Sequence, residues 1–190
     1  MGSDGPNRHT GIYVGSFDPI TRGHLDVLAR ARRLFDRIVV GIGHNPDKSA
    51  LFTFEERTDM VRTLVDELLR DEPDGAPVDV ASYTGLTVDF ATEHRACAII
   101  RGIRNITDLA SETQLAITNR QVADIETVFI VTGEAYAFTS SSLIRQIAAH
   151  GGSLDRLETI VPPLIIDRIR AKANDADDPL SRLRVDRAIE

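Results

Sequence analysis

Residues Gly15-Ser16-Phe17-Asp18-Pro19-Ile20-Thr21-Arg22-Gly23-His24 join a β-branched run, Ile12-Tyr13-Val14, to an apolar-periodic stretch carrying Leu25, Val27, Leu28 and Ala31. A strand, a glycine turn and a helix opening are compressed into one segment. Glycine lets backbone N–H groups come close to a ligand, while the N-terminus of the following helix directs unpaired donors and partial positive charge to the same spot. That geometry suits phosphate. His24, in the first helical turn, is placed to face the loop and meet a phosphoryl oxygen. The spacing of glycines matches neither the dinucleotide fingerprint nor the Walker loop.

Three further segments offer groups for anions. Arg101-Gly102-Ile103-Arg104 follows an apolar run, and two guanidinium groups three residues apart make a compact clamp whose planar forks suit phosphate. Thr139-Ser140-Ser141-Ser142 places hydroxyls and free amides at a helix start, as ordinary N-caps also do. Tyr136 and Phe138 precede it, and aromatic side chains there suit core packing as well as a lid. Lys48 ends the loop His44-Asn45-Pro46-Asp47-Lys48, just before Thr53 and Glu56, whose capping-box spacing fixes the next helix start. Asp18 reads either as an outer metal ligand or as a cap of its own turn ahead of Pro19.

The elements that position these groups follow from the apolar period. Strand-length runs occur at 11–15, 37–43, 78–82, 97–101 and 127–131, and helical patterns at 23–35, 54–69, 86–94, 106–122 and 141–150. This order predicts a doubly wound, Rossmann-like, five-stranded parallel sheet with helices on both faces. Ligands of such sheets sit beyond the carboxyl ends of the strands, where all four segments fall. Pro162-Pro163 opens one more helix, 164–172, with Leu164, Ile165, Ile166 and Ile169 available to pack on the sheet.

A chain of 190 residues fits one domain. Residues 1–9 read as a disordered polar leader, 10–172 as the domain and 173–190 as a C-terminal tail. The net charge of −7 argues against nucleic acid as a partner. No apolar stretch near membrane-spanning length and no signal pattern occurs, so no membrane partner and a cytoplasmic location are expected. The single cysteine, Cys97, lies in an apolar run and reads as buried and inert.

The motifs resemble those of the bacterial phosphopantetheine adenylyltransferases, within the nucleotidyltransferase superfamily. Thr21-Arg22-Gly23-His24 is similar to the superfamily's (T/S)-x-G-H signature, and Gly15 to Pro19 to its G-(S/T)-F-D-P element. Arg101 to Arg104 resembles the (R/K)-G-(L/I)-R element, and Ser140 to Ser142 the S-S-S element. The likeness runs from about Gly11 to Lys172.

It implies transfer of AMP from ATP to 4'-phosphopantetheine, giving dephospho-coenzyme A and pyrophosphate, with Mg²⁺ carried mainly by the triphosphate. It also implies a homo-oligomer, a hexamer in this family. By the same resemblance His24, Lys48 and Arg101 are catalytic. ATP falls to Gly15, Ser16, Phe17, His24, Gly102, Ile103, Arg104, Glu112, Tyr136, Thr139, Ser140, Ser141 and Ser142. The acceptor falls to Ser16, Lys48, Leu86, Thr87, Arg101 and Asn119.

Two departures stand out. Asp108-Leu109-Ala110-Ser111-Glu112 replaces the family's D-F-E-Y-E, and Thr87 stands where a larger apolar residue is usual. Asp108 and Glu112, four apart on one helix face, are expected to keep the arginine clamp oriented. Two other readings remain open at this point. One is a different phosphate acceptor, such as nicotinate mononucleotide or an alcohol phosphate with CTP as donor; the other is a non-catalytic nucleotide or coenzyme-binding regulator.

Overall fold

The computed structural model describes residues 9–44, 50–174 and 180. Five strands, β1 (Thr10–Gly15), β2 (Arg37–Gly43), β3 (Val78–Tyr83), β4 (Ala98–Ile103) and β5 (Glu126–Val131), alternate with helices. These are α1 (Arg22–Ala31), α2 (Phe54–Asp71), α3 (Thr87–Glu93) and α4 (Ile106–Ala123), followed by α5 (Ser141–Ala149) and α6 (Pro163–Ala173). Single 3₁₀ turns, Glu134–Tyr136 and Leu154–Leu157, carry no apolar period and are not foreshadowed by the pattern.

All strand pairs are parallel, in the order β3-β2-β1-β4-β5. Ile12 of β1 lies between Val39 of β2 and Ile99 of β4. Because successive side chains of a strand point to opposite faces, Tyr13, Val40 and Ile100 join the core under α1, α2, α5 and α6. Ile12, Val39 and Ile99 join a smaller core under α3. Ile165, Ile166 and Ile169 of α6 are buried in the larger core, as the sequence predicts, and Leu180 packs into the same cluster.

Helix α1 stops four residues short of the predicted Phe35. Arg32 is buried there, donating from Nε to Ala76 O at 2.9 Å and from Nη1 to Glu72 O at 2.7 Å, and these bonds draw the chain out of the helix toward the α2–β3 connection.

Cys97 corrects the expectation of a buried thiol. It precedes β4, its N–H donates to Thr10 O at 2.9 Å, and its side chain is exposed. Burial begins one residue later, at Ala98. The leader up to Arg8, Lys48 and most of the tail lie outside the described residues.

Helix α4 has no buried residue along its 18, and Ile106, Leu109, Leu115, Ile117 and Val122 are exposed. Among the described residues no helix is long and apolar enough to cross a membrane.

Candidate active site

Strand order reverses between β1 and β4, and the chain leaves both strands at the same edge of the sheet. A cavity of about 540 Å³ opens there. It is lined by the Gly15 to Phe17 turn and His24, by Arg101 and Arg104 with their carboxylates Asp108 and Glu112, and by Tyr136, Thr139 to Ser142 and Arg145. Two glycines make this convergence possible through close packing. A Cβ on Gly23 would press on Tyr136 Cβ at 3.2 Å, and one on Gly102 would meet Val27 Cγ2 at 3.0 Å. The opening turn of α1 can therefore settle against the end of β4.

His24 is the N3 residue of α1, and its ring completes a capping box with Thr21. The Thr21 N–H donates to His24 Nδ1 at 3.0 Å, and Thr21 Oγ1 lies 2.9 Å from the same nitrogen. A backbone N–H can only donate, so Nδ1 must carry its lone pair and the proton of the neutral ring sits on Nε2. That leaves Nε2–H as the donor offered to the cavity. Burial, reinforced by Arg104 and Arg101, pushes the His24 pKa down to about 4. The imidazole is therefore a neutral hydrogen-bond donor at physiological pH.

A depressed histidine pKa makes the folded state bind its proton less readily than the unfolded chain. Its stabilisation is complete above pH 6.5 and is lost as pH falls toward 4. We expect the parent to lose about 3 kcal/mol more than His24→Asn over that window. Asparagine keeps an acceptor for the cap and does not titrate, and the carboxylates common to both proteins cancel. Urea midpoints at pH 7 and pH 4 measure the difference, and equal losses would show that His24 titrates normally. The kcat profile should correspondingly show no histidine limb near pH 6.5.

Each clamp arginine is held by a carboxylate of α4. Arg101 donates from Nε and Nη2 to Glu112 Oε2 and Oε1 at 2.6 and 2.5 Å, and from Nη1 to Val14 O at 2.9 Å. Burial opposes its charge, but the paired bonds to Glu112 outweigh burial and raise its pKa. Arg104 donates from Nε and Nη2 to Asp108 at 2.8 and 3.0 Å, and from Nη1 to Thr139 O at 2.7 Å. Burial would raise the Asp108 pKa, yet hydrogen bonds from Arg104 hold it below the usual range. The expected orienting role of Asp108 and Glu112 is thus visible in the geometry, whereas Leu109, Ala110 and Ser111 are exposed on other faces of α4.

Across the cavity, Ser140 caps α5 by accepting from Leu143 N–H at 3.1 Å, and Ser141 Oγ donates to Pro19 O at 2.8 Å. Arg145, one turn into α5, donates from Nη1 to Asp18 O at 2.5 Å and from Nη2 to Ser142 Oγ at 3.3 Å. It is a cavity residue that the sequence reading did not single out.

A family model described as cytidylyltransferase-like matches residues 12–147. A phosphopantetheine adenylyltransferase of Rhodopirellula baltica is 47% identical, over 85% of this chain and 87% of its own length. One from Moorella thermoacetica is 48% identical, over 80% of this chain and 89% of its own. The chain belongs to the phosphopantetheine adenylyltransferase family. At the level of fold alone, it resembles the structure of Plasmodium falciparum nicotinic acid mononucleotide adenylyltransferase complexed with NaAD. The TM-score is 0.53 at 20% identity, covering 88% of this chain and 97% of that one.

The residues that the family resemblance assigned to the acceptor divide in this structure. Thr87 and Asn119 meet Arg101 and Glu112 in a second cavity of about 90 Å³ on the α4 side. Thr87 Oγ1 lies 2.8 Å from Tyr83 Oη, so its hydroxyl is engaged. Leu86 is 60% exposed at the N-cap of α3 and lines neither cavity.

Of the ATP set, Ile103 is buried below the cavity rather than lining it. Tyr136 lines it, whereas Phe138 is 92% exposed, so the two aromatic residues separate.

Asp18 does not cap its own turn, one of the two roles that the sequence offered. Its Oδ2 and Oδ1 accept from the Leu51 and Phe52 N–H groups at 2.9 and 3.0 Å, tying the phosphate turn to the chain ahead of α2. Among the described residues no group of three or more His, Cys, Asp or Glu could hold a metal ion. With both Asp18 oxygens accepting backbone N–H bonds, these residues do not form a protein-only Mg²⁺ cage.

Proposed function

We propose that this adenylyltransferase moves AMP from ATP to the phosphate of 4'-phosphopantetheine, giving dephospho-coenzyme A and pyrophosphate. The observation that carries the reading is the convergence, at the sheet's switch point, of a neutral Nε2–H donor, three guanidinium groups and the N-terminus of α5. The relatives' shared name supplies the acceptor.

In this reaction an oxygen of the acceptor phosphate attacks the α-phosphorus, and the bond to the β-phosphate oxygen breaks as pyrophosphate leaves. The nucleophile is already ionised, so no base is needed to remove a proton from it. Catalysis reduces to alignment and to stabilisation of charge on the pentacoordinate phosphorus.

His24 Nε2–H and the amides of the Gly15 to Phe17 turn meet the α-phosphate oxygens. Arg104, Arg145 and the opening of α5 take the departing pyrophosphate, while Ser16, Lys48 and Arg101 take the acceptor phosphate, with Thr87 and Asn119 along its arm. The oxygens of the triphosphate itself would hold Mg²⁺, which would supply partial neutralisation of their charge.

We further propose a homo-oligomer, supported by the five large apolar side chains that α4 leaves uncovered, since monomeric surfaces rarely expose so much apolar area on one element. A cytoplasmic location accords with the use of ATP.

Pyrophosphate release tests the reading with ATP, Mg²⁺ and a panel of acceptors. The kcat/KM with ATP and 4'-phosphopantetheine should exceed that with CTP, or with nicotinate mononucleotide, by at least about tenfold, a difference in transition-state binding of some 1.4 kcal/mol. Light scattering should give a mass several times the 20.9 kDa of one chain. A preference for CTP or for another acceptor would overturn the substrate assignment, and a monomer would overturn the assembly.

A further inference from the structure

Arg57 lies in the opening turns of α2, outside both cavities, and is only 4% exposed. Its Nη1 donates to Ser16 O at 2.6 Å and to Gly43 O at 3.2 Å, and its guanidinium carbon sits 5.4 Å from the Phe54 ring centroid. Among the described residues its buried Nε has no acceptor. Burial lowers its pKa, while Asp18 and Glu55 oppose that shift. An arginine keeps its charge even so, and a buried cation with an unsatisfied donor is costly to maintain. Packing alone gives no reason for a cation here, because an apolar side chain would fill the same space without that cost.

The carbonyl it holds belongs to the Ser16–Phe17 peptide. Phe17 has φ +46°, in the left-handed region that residues bearing a Cβ seldom occupy. Its ring is buried and edge-on to Tyr13 and His24, at centroid distances of 5.6 and 5.3 Å. Rotating the Ser16–Phe17 peptide plane would relieve the positive φ, but it would also turn the Ser16 carbonyl away from Arg57. In the trans peptide seen here, the Phe17 N–H points opposite to that carbonyl, away from Arg57 and toward the cavity that Ser16 and Phe17 line. The guanidinium thus holds one of two peptide orientations, the one that presents an amide to the cavity.

We propose that Arg57 is a positioning residue for adenylyl transfer: by pinning the Ser16 carbonyl from beneath, it keeps the Phe17 N–H aimed at the transferred phosphoryl group. This rests on the proposed reaction for its kinetic consequence, though not for its structural one. Because the amide matters most when charge builds on the α-phosphate, loss of Arg57 should fall on kcat rather than on ground-state binding.

Two variants test it, Arg57→Lys and Arg57→Met. Each is followed by kcat, by calorimetric ATP affinity, and by the ¹⁵N–¹H shift and hydrogen exchange of the Phe17 amide in ligand-free protein. For Arg57→Met we expect kcat to fall about 10- to 100-fold with the ATP Kd within about threefold of the parent, and for Arg57→Lys a smaller fall. In both, the Phe17 amide resonance should move.

A folded Arg57→Met with parental kcat would overturn the proposal, as would a loss of kcat with the Phe17 amide unchanged. If Arg57→Met does not fold, Arg57→Lys decides alone by the same two readouts. Should the parent itself fail to transfer AMP, the proposed reaction falls, and the Phe17 amide still decides whether Arg57 sets the peptide.

Discussion

Replacing His24 with alanine is expected to lower kcat by about 10²- to 10³-fold, the loss found when one preorganised donor to a transition-state oxyanion is removed. The size follows from the ring's state. Its Nδ1 is fixed by the Thr21 N–H, and burial holds the pKa near 4, so the neutral ring already presents Nε2–H to the cavity before substrate arrives. Little reorganisation remains to be done as charge develops. ATP affinity should change little, because the donor gains most where negative charge grows. His24→Asn separates this from a structural effect. It retains a cap acceptor for Thr21, whereas alanine also loses about 1 kcal/mol of capping. The two variants should share the loss of kcat while differing in stability, as single-turnover kinetics and urea unfolding will show. Parental kcat in either variant would remove His24 from the mechanism.

Much of this site is legible in the sequence because its groups are set by local rules. The period of the strands and helices orders the sheet, and β2 runs over the predicted Arg37 to Gly43. A parallel sheet then delivers every strand's following loop to one edge. The i to i+4 spacing of Asp108 and Glu112 in turn puts both carboxylates on one face of α4 and makes their hold on the clamp foreseeable.

What sequence does not reveal are contacts made by long or short side chains across the fold. Nothing in the local sequence singles out Arg57 or Arg145, because the chain brings Ser16 and Asp18 against them from 41 and 127 positions away. Asp18 looks like a local turn cap, but its oxygens take amides 33 and 34 residues on. Cys97 shows the limit of an apolar run as a guide to burial, since one residue of register at a strand's start separates an exposed side chain from the core. The exposed Leu109, Ala110 and Ser111 place one of the two departures from the family pattern on the outer surface of α4, apart from the carboxylates that hold the clamp, whereas Thr87, the other, lines the second cavity.

Arg101→Met should sharply reduce acceptor turnover and destabilise the fold at the same time, and a second substitution can pull these effects apart. Arg101 is 29% exposed and Glu112 15%, with two short bonds between them. Removing the cation strands Glu112 in a poorly solvated pocket at a cost of about 3 kcal/mol. Removing both charges in Arg101→Met/Glu112→Leu replaces the pair with apolar volume and should restore most of that stability.

Activity should not return with it. The charge-assisted bonds that we propose from the guanidinium to the acceptor phosphate, worth about 1.5–3 kcal/mol each, would be absent in both variants, so kcat/KM for 4'-phosphopantetheine should stay down by about 10²- to 10⁴-fold. Glu112→Leu alone is the complementary case. It leaves Arg101 charged but anchored only through Val14 O, so its orientation relaxes and the acceptor KM rises while the charge continues to attract phosphate. Urea unfolding and steady-state kinetics on the three variants measure both consequences. Recovery of turnover in the stable double variant would show that Arg101 serves the fold and not the acceptor.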